Sequence, residues 1–172
     1  GYADILLGAY GNDDWGTNVG KSYLITGWSL VTGSSSYDFT YGEGEPDYDY
    51  AFVGEDNSGD YYGFSVSSAG DVDGDGKDDL LVGAPYNNQQ GTYSGKAYLI
   101  LASSLGSEVT LELSAADYHF VGEEMDDHAG SSVSSAGDVD GDGLEDLLVG
   151  APINDDGGYM AGKVYLLLGA SL

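Results

Sequence analysis

Residues Gly70–Pro85 read GDVDGDGKDDLLVGAP, and residues Gly137–Pro152, 67 positions later, read GDVDGDGLEDLLVGAP. Aspartates stand at alternate positions, glycines break them, and a short apolar run follows. The acidic positions are Asp71, Asp73, Asp75 and Asp79 in the first copy and Asp138, Asp140, Asp142 and Asp146 in the second. They occupy positions 1, 3, 5 and 9 of a loop whose positions 4 and 6 are glycine. Glycine takes left-handed backbone angles without Cβ strain, so such a turn curls alternate side chains toward one centre. Carboxylate oxygens suit a hard cation, and calcium accepts about six to eight oxygens in irregular cages. The carbonyls of Lys77 and Leu144, at position 7, would each add one more oxygen. The pattern therefore predicts two Ca²⁺ sites, with Mg²⁺ the less suited ion. Without a cation the crowded carboxylates repel, so each loop loosens or takes up protons. With one, the loop becomes a rigid clip between two strands, and binding energy becomes folding energy.

Two rival readings fail on the same residues. An EF-hand needs a bidentate Glu at position 12 and a following helix. Position 12 here is Val82 or Val149, and a strand-like apolar run follows. An acidic turn without metal explains one copy, but it does not explain the same spacing twice.

Outward from the loops, the chain is built on a repeat. GAY at Gly8–Tyr10 matches GAP at Gly83–Pro85 and Gly150–Pro152. GKSY at Gly20–Tyr23 matches GKAY at Gly95–Tyr98 and GKVY at Gly162–Tyr165, each 12 residues beyond the preceding motif. AFVGED at Ala51–Asp56 matches HFVGEE at His119–Glu124. The copies are offset by 75 and then 67 residues, and Trp28–Tyr50 holds most of the difference. That segment reads as a surface-loop insertion, where added backbone is satisfied by water. Each unit resolves into four short strands, as in FSVSSAGDV, DLLVGAP, KAYLILA and YHFVGEE. Leu105–Tyr118 is compatible with a helical turn or a strand. Four strands per unit predict an all-β fold of propeller blades, whose sheets pack face to face. The recurrent glycines mark close approaches between one blade's backbone and the next.

Composition narrows the function. Thirty acidic residues against four lysines and no arginine give a formal net charge of −26 over 172 residues. Such a surface repels phosphate and anionic lipid, so no nucleic acid partner and no membrane insertion are expected. It attracts cations, and it also suits salty or extracellular surroundings. There is no cysteine, so neither disulfides nor thiolate sites are available.

These motifs resemble the FG-GAP repeat of integrin α-subunit propellers and of many secreted bacterial proteins. The resemblance implies blades in which the Asp-rich loop joins the first two strands and binds calcium on the lower face, while the upper face contacts partners. Carried over by position, the calcium ligands are Asp71, Asp73, Asp75, Lys77 and Asp79, then Asp138, Asp140, Asp142, Leu144 and Asp146. The family's Phe-Gly falls on Tyr62-Gly63 and Ala129-Gly130, so the packing contact of that Phe is altered. Gly1 aligns inside an aspartate loop, with Asp4 at the position of Asp79 and Asp146, and Leu172 aligns with Leu105. The expected units are a partial blade over 1–61 with the insertion at 28–50, a complete blade over 62–128, and a partial blade over 129–172. About two and a half blades do not close a standard propeller. Either the chain is a segment of a longer array, or copies complete one another by strand addition.

Catalysis finds little support. His119 sits in a strand and His128 in a loop, and no nucleophile elbow is present. The pairs Asp126–Asp127 and Asp155–Asp156 read as solvated loop charge. The three GK lysines read as structural, with ion pairs of modest worth. Between GAP and GK, fixed-length segments vary in sequence and carry Trp15, Tyr86, Tyr93 and Tyr159. Aromatic and amide groups on rigid loops suit recognition of a protein or carbohydrate. The expectation is a secreted, extracellular or cell-surface member of the bacterial type, serving adhesion, recognition or structural assembly. The alternatives are a non-catalytic propeller attached to a secreted hydrolase or lipase, and a subunit of a self-assembling homo-oligomer or filament.

Overall fold

The computed structural model describes residues 2–33, 37, 48–55 and 59–172. The inserted residues 34–36 and 38–47 therefore lie outside the described part. In chain order the strands are β1 (Ile5–Ala9), β2 (Lys21–Ile25), β3 (Tyr50–Val53), β4 (Ser65–Gly70), β5 (Asp79–Ala84), β6 (Lys96–Ile100), β7 (Thr110–Glu112), β8 (Tyr118–Val121), β9 (Ser132–Gly137), β10 (Asp146–Ala151) and β11 (Lys163–Leu167). One short helix, α1 (Gly27–Thr32), follows β2 where the sequence reading placed only a loop. The fold is all-β, as expected. Its sheets have the orders β1-β2-β3-β7, β4-β5-β6-β8 and β9-β10-β11, three successive blades of the propeller type.

Among the described strands every pairing is antiparallel except one, and isolated parallel bridges join Gly20 to Tyr62 and Gly95 to Ala129. β7 runs parallel to β3, with Ala51 opposite Thr110 and Val53 opposite Glu112. This strand lies in the stretch 105–118, and it leaves the middle unit to extend the sheet before it. The flanking turns, Ala102–Ser104 and Leu113–Ala115, are short 3₁₀ helices. Helical turn and strand thus both occur in the segment whose sequence fitted either.

The apolar runs are explained by burial on both faces. Leu80, Val82, Tyr98 and Ile100 of the middle sheet pack with Leu24 and Phe52 of the first and with Tyr62. The opposite face, with Leu81, Leu99 and Ala69, packs on Leu147 of the third. A strand covered on both faces shows no alternation, which is why DLLVGA reads as a continuous run. Tyr62, standing where the motif expects Phe, is fully buried. Its ring meets Tyr98 edge-on at 5.5 Å, and its hydroxyl bonds the Ser22 hydroxyl at 2.9 Å. The polar handle that distinguishes Tyr from Phe is thereby satisfied.

Between blades the backbones meet at glycine. A Cβ on Gly83 would overlap the carbonyl oxygen of Gly130, and one on Gly8 that of Gly63. The Gly63 amide donates to the Gly83 carbonyl at 3.1 Å, and the Gly130 amide to the Gly150 carbonyl at 3.0 Å. Both bonds lie within one blade, so each FG glycine is bonded to the GAP glycine of its own blade and seated against that of the blade before.

Charged groups also cross the junctions. The Lys96 ammonium meets the Glu55 carboxylate at 2.6 Å, and one repeat on Lys163 meets Glu123 and Asp156. Lys21 pairs with Asp14 at 2.7 Å. Lys21 and Lys96 are buried, so these pairs are not the weak surface ion pairs expected. Breaking a buried pair strands a charge and costs roughly 3–5 kcal/mol. The Asn87 amide donates to Asp60 at 2.7 Å and the Asn154 amide to Asp127 at 3.1 Å. Asp127 is therefore a buried structural acceptor rather than solvated loop charge.

Burial pushes the Asp60 carboxyl up from 3.8 to about 6; the Asn87 donor opposes this, the Glu55 charge adds to it and Lys96 opposes it. A raised carboxyl pKa means that the folded state holds the proton more tightly than the unfolded chain. Asp60 therefore penalises folding above about pH 6, and the penalty fades as pH falls toward 4. Asp60→Asn keeps an acceptor for Asn87 without the charge. The variant is expected to be more stable than the wild type at pH 7.5, by on the order of 2 kcal/mol. The gap should narrow as pH falls from 6 toward 4, as read from denaturant midpoints of both proteins.

Candidate metal centre

Each aspartate loop is set by its backbone first. The β4–β5 pairing shifts register at Gly70 and the β9–β10 pairing at Asp146, so the chain bulges as it enters or leaves the turn. Gly74 and Gly76 then take φ of +78° and +87°, and Gly141 and Gly143 take +80° and +95°. These are the left-handed angles the sequence predicted for positions 4 and 6.

The carboxylates divide their work. In the first loop one oxygen each from Asp71, Asp73 and Asp79 can lie within 4.8 Å of one another. The Asp71 Oδ2 accepts the Gly76 amide at 2.9 Å. Its Oδ1 is buried and has no hydrogen-bond partner. A buried carboxylate oxygen without a donor costs free energy unless something positive meets it. Asp75 stands outside this group. It accepts the Lys77 amide at 2.8 Å and meets the Lys77 ammonium at 3.2 Å. In the second loop the converging set is Asp138, Asp140 and Asp142. The structure thus brings six of the eight predicted aspartates into two groups. Asp75 and Asp146 fall outside them.

Asp146 and Asp79 have a second task. Both are fully buried at the start of a strand. Asp79 accepts the Val72 amide at 3.0 Å and the Ala102 amide at 2.8 Å. Asp146 accepts the Val139 amide at 2.8 Å and the Gly169 amide at 2.9 Å. In the first unit Asp4 accepts the Gly27 amide at 2.6 Å. These three aspartates occupy one repeat position, and each ties down the turn that follows the third strand of its unit. Sequence reading took that position as a ligand and missed the clip.

The three-carboxylate groups fit a divalent cation in donor chemistry. Each offers hard oxygens only, several negative charges, and in the first loop an oxygen that lacks a partner. Burial holds the Asp79 carboxyl above its ordinary range, its backbone amides work against this, and the charges of Asp73 and Asp75 add to it. A cation between these groups would remove that repulsion.

At the opposite end of the same hairpins lies a continuous aromatic cluster. Tyr10 and Phe64 are 5.5 Å apart, Tyr61 and Tyr86 4.9 Å, Tyr86 and Tyr93 5.4 Å, and Tyr86 and His128 5.0 Å. They border a cleft of about 560 Å³ that Asn88 and Thr92 also line. Tyr86 and Tyr93 were singled out from sequence. Tyr10, Tyr61, Phe64 and His128 were not, although each lies beside a GAP or FG position. Trp15 lies apart, beside Glu55 and Glu112. Of the two histidines, His128 joins the cluster, where burial lowers its pKa, and His119 packs edge-on against Tyr98 at 5.3 Å. Among the described residues no helix is long and apolar enough to cross a membrane.

Comparison with known proteins agrees with this geometry. A family model described as FG-GAP repeat matches residues 62–100 and 129–167. The chain is 39 % identical over 121 residues to integrin alpha-PS2 of Drosophila melanogaster, covering 66 % of this chain and 8 % of that protein. It is 30 % identical over 165 residues to integrin alpha-4 of Xenopus laevis, covering 90 % of this chain and 15 % of that one. With human integrin alpha-IIb it shares 36 % identity over 116 residues, 64 % of this chain and 10 % of that protein. The chain therefore spans only a small part of the length of these curated relatives.

The two tasks of the aspartates separate by mutation. Asp79→Ala leaves the Val72 and Ala102 amides without acceptors. It should cost on the order of 2 kcal/mol even in chelator, and more when calcium is supplied, because a carboxylate of the metal group goes with it. Asp73→Ala should matter little in chelator and lower thermal stability only when calcium is supplied. Melting curves of both variants in calcium and in EGTA measure the difference.

Proposed function

The chain belongs to the FG-GAP repeat family, and we propose that it is a calcium-binding propeller module serving extracellular adhesion or recognition. The observation that carries this reading is the pair of carboxylate groups, Asp71–Asp73–Asp79 and Asp138–Asp140–Asp142, at equivalent hairpin bends. In this reading Asp75, Asp146 and the carbonyls of Lys77 and Leu144 complete the shells once an ion draws the loops in. The ion performs no chemistry. It cancels charge at the bend and fixes the angle at which two strands leave it. The units 1–61, 62–128 and 129–172 are the blades of this module.

The partner face is the aromatic end. Calcium at one end of the hairpins stiffens the frame, and the Tyr10–Tyr93 cleft at the other end offers rigid, partly exposed rings. Tyr supplies large contact area with few rotatable bonds, which suits a protein or carbohydrate ligand. The relatives are integrin α chains, which supports a protein ligand or partner subunit at a cell surface. No constellation of nucleophile and base stands in the cleft, so the proposed role is binding rather than catalysis.

Calcium titration by calorimetry should show two sites per chain, and Asp138→Ala together with Asp140→Ala should leave one. A wild-type chain that takes up no calcium would remove the proposal. The double substitution Tyr86→Ala, Tyr93→Ala should leave both calcium sites intact. It should abolish attachment of the immobilised chain to cells or extracellular matrix that the wild type holds.

A further inference from the structure

The β1–β2, β5–β6 and β10–β11 turns have one length and three sequences, so the chain carries its own comparison. Asp13-Asp14 in the first turn and Asp155-Asp156 in the third give way to Asn88-Gln89 in the middle one. The backbone does not require this exchange. Asp13 accepts the Asn18 amide at 2.6 Å, Asp155 the Met160 amide at 2.5 Å, and the Asn88 side-chain oxygen the Tyr93 amide at 2.9 Å. The middle turn also acquires two rings. Tyr86 stands where the other turns have Gly11 and Ile153, and Tyr93 where they have Asn18 and Met160.

This altered turn forms one wall of the aromatic cleft, whose volume is about 560 Å³. Four tyrosines, Phe64, Asn88, Thr92 and a glycine line it, none of them charged at neutral pH. A chain of net charge −26 thus keeps carboxylates out of this one wall, at the two positions where its other turns supply them. The rings are also held. Tyr61, Tyr93 and His128 stand at φ of +53°, +55° and +55°, angles uncommon for large side chains. The Tyr61 amide donates to the Asn18 carbonyl at 3.1 Å and the His128 amide to the Tyr93 carbonyl at 3.0 Å, so these residues are pinned across the junctions. Backbone held in this way clusters at ligand sites, where it fixes side chains before the ligand arrives.

We propose that the cleft binds an uncharged carbohydrate. The proposal rests on the reading of the aromatic end as the partner face and names the ligand class. A cationic group would gain from the two acids that this turn has lost, and an anion is repelled by the whole chain. The cleft has the volume of a small-ligand site, whereas a protein partner needs about 800 Å² of surface on each side. A neutral sugar meets both conditions. Its C–H faces carry slight positive charge and lie against the negative faces of the rings. Its hydroxyls pair with Thr92, with the tyrosine hydroxyls and with the Asn88 amide, whose N–H groups are left for the cleft once its oxygen holds Tyr93.

Calorimetry of the full chain in calcium tests this, with neutral tetrasaccharides of glucose, mannose, galactose and N-acetylglucosamine as probes and tetragalacturonate and tetralysine beside them. At least one neutral saccharide should bind, with an affinity that low and high salt leave unchanged. Tyr93→Ala and Asn88→Asp should each weaken that binding about tenfold. Asn88→Asp should keep the wild-type melting temperature, because Asp13 and Asp155 hold the same backbone bond. Asp155→Asn should change nothing. The proposal is overturned if no neutral saccharide binds, if tetralysine or tetragalacturonate binds more tightly than all of them, or if both weakening variants bind as the wild type does. Absent saccharide binding, with cell attachment that still depends on Tyr86 and Tyr93, removes this inference and spares the partner-face reading. Absent saccharide binding with attachment that ignores both tyrosines removes the two together.

Discussion

The arrangement rests on the distance between neighbouring backbones. Where Gly83 meets Gly130 there is no room for a single extra carbon, and the same holds where Gly8 meets Gly63. Beside these places the Tyr62 amide donates to the Val19 carbonyl and the Ala129 amide to the Ser94 carbonyl, each from one blade to the blade before. The approach sets the stacking distance of the sheets. It thereby decides which side chains fill the junction: Leu and Val at the centre, Tyr62 where its hydroxyl can reach Ser22, and Lys96 where its ammonium lies over the Tyr98 ring and meets Glu55. A larger residue at either glycine would force the sheets apart and undo all of these contacts at once.

From that spacing follows a division between the two ends of each hairpin. At one end the chain turns through left-handed glycines and gathers carboxylates. At the other, residues flanking the glycine contacts bring rings from successive blades to within 4.9–5.5 Å of one another. The charge-rich end uses its oxygens economically. Some accept backbone amides and hold the turn, and others face inward without a donor. The aspartates at loop position 9 belong to the scaffold as much as to any ion, and Asp4 makes the same clip in the first unit.

Much of this was legible because repetition exposes what a single copy hides. Strands, bends, positive-φ glycines and the all-β class followed from matching GAP, GK and DVDGDG across units. What escaped was of two kinds. Elements fixed by distant partners gave no local sign: Thr110–Glu112 is three residues long, and its pairing with β3 depends on where another unit lies. Charges fixed by burial gave little sign of it: Asp127 was read as solvated, Lys96 as structural with a pair of modest worth, and Asp60 was not singled out, yet each sits in a junction with a partner in the next or preceding unit. Their spacing was readable, since Asp60–Asn87 and Asp127–Asn154 are both 27 apart. The aromatic cluster was half found, because its members are scattered from Tyr10 to His128 and converge only when blades stack.

The crossing strand β7 changes how such a chain responds to load. In an ordinary solenoid each unit touches only its neighbours through side chains, and units melt nearly one by one. Here the middle unit lends a length of main chain to the sheet before it. The middle unit cannot unravel through that segment without shearing it from β3. Tension arriving along the chain is therefore shared between two sheets, and the smallest piece that yields as a whole is a pair of blades.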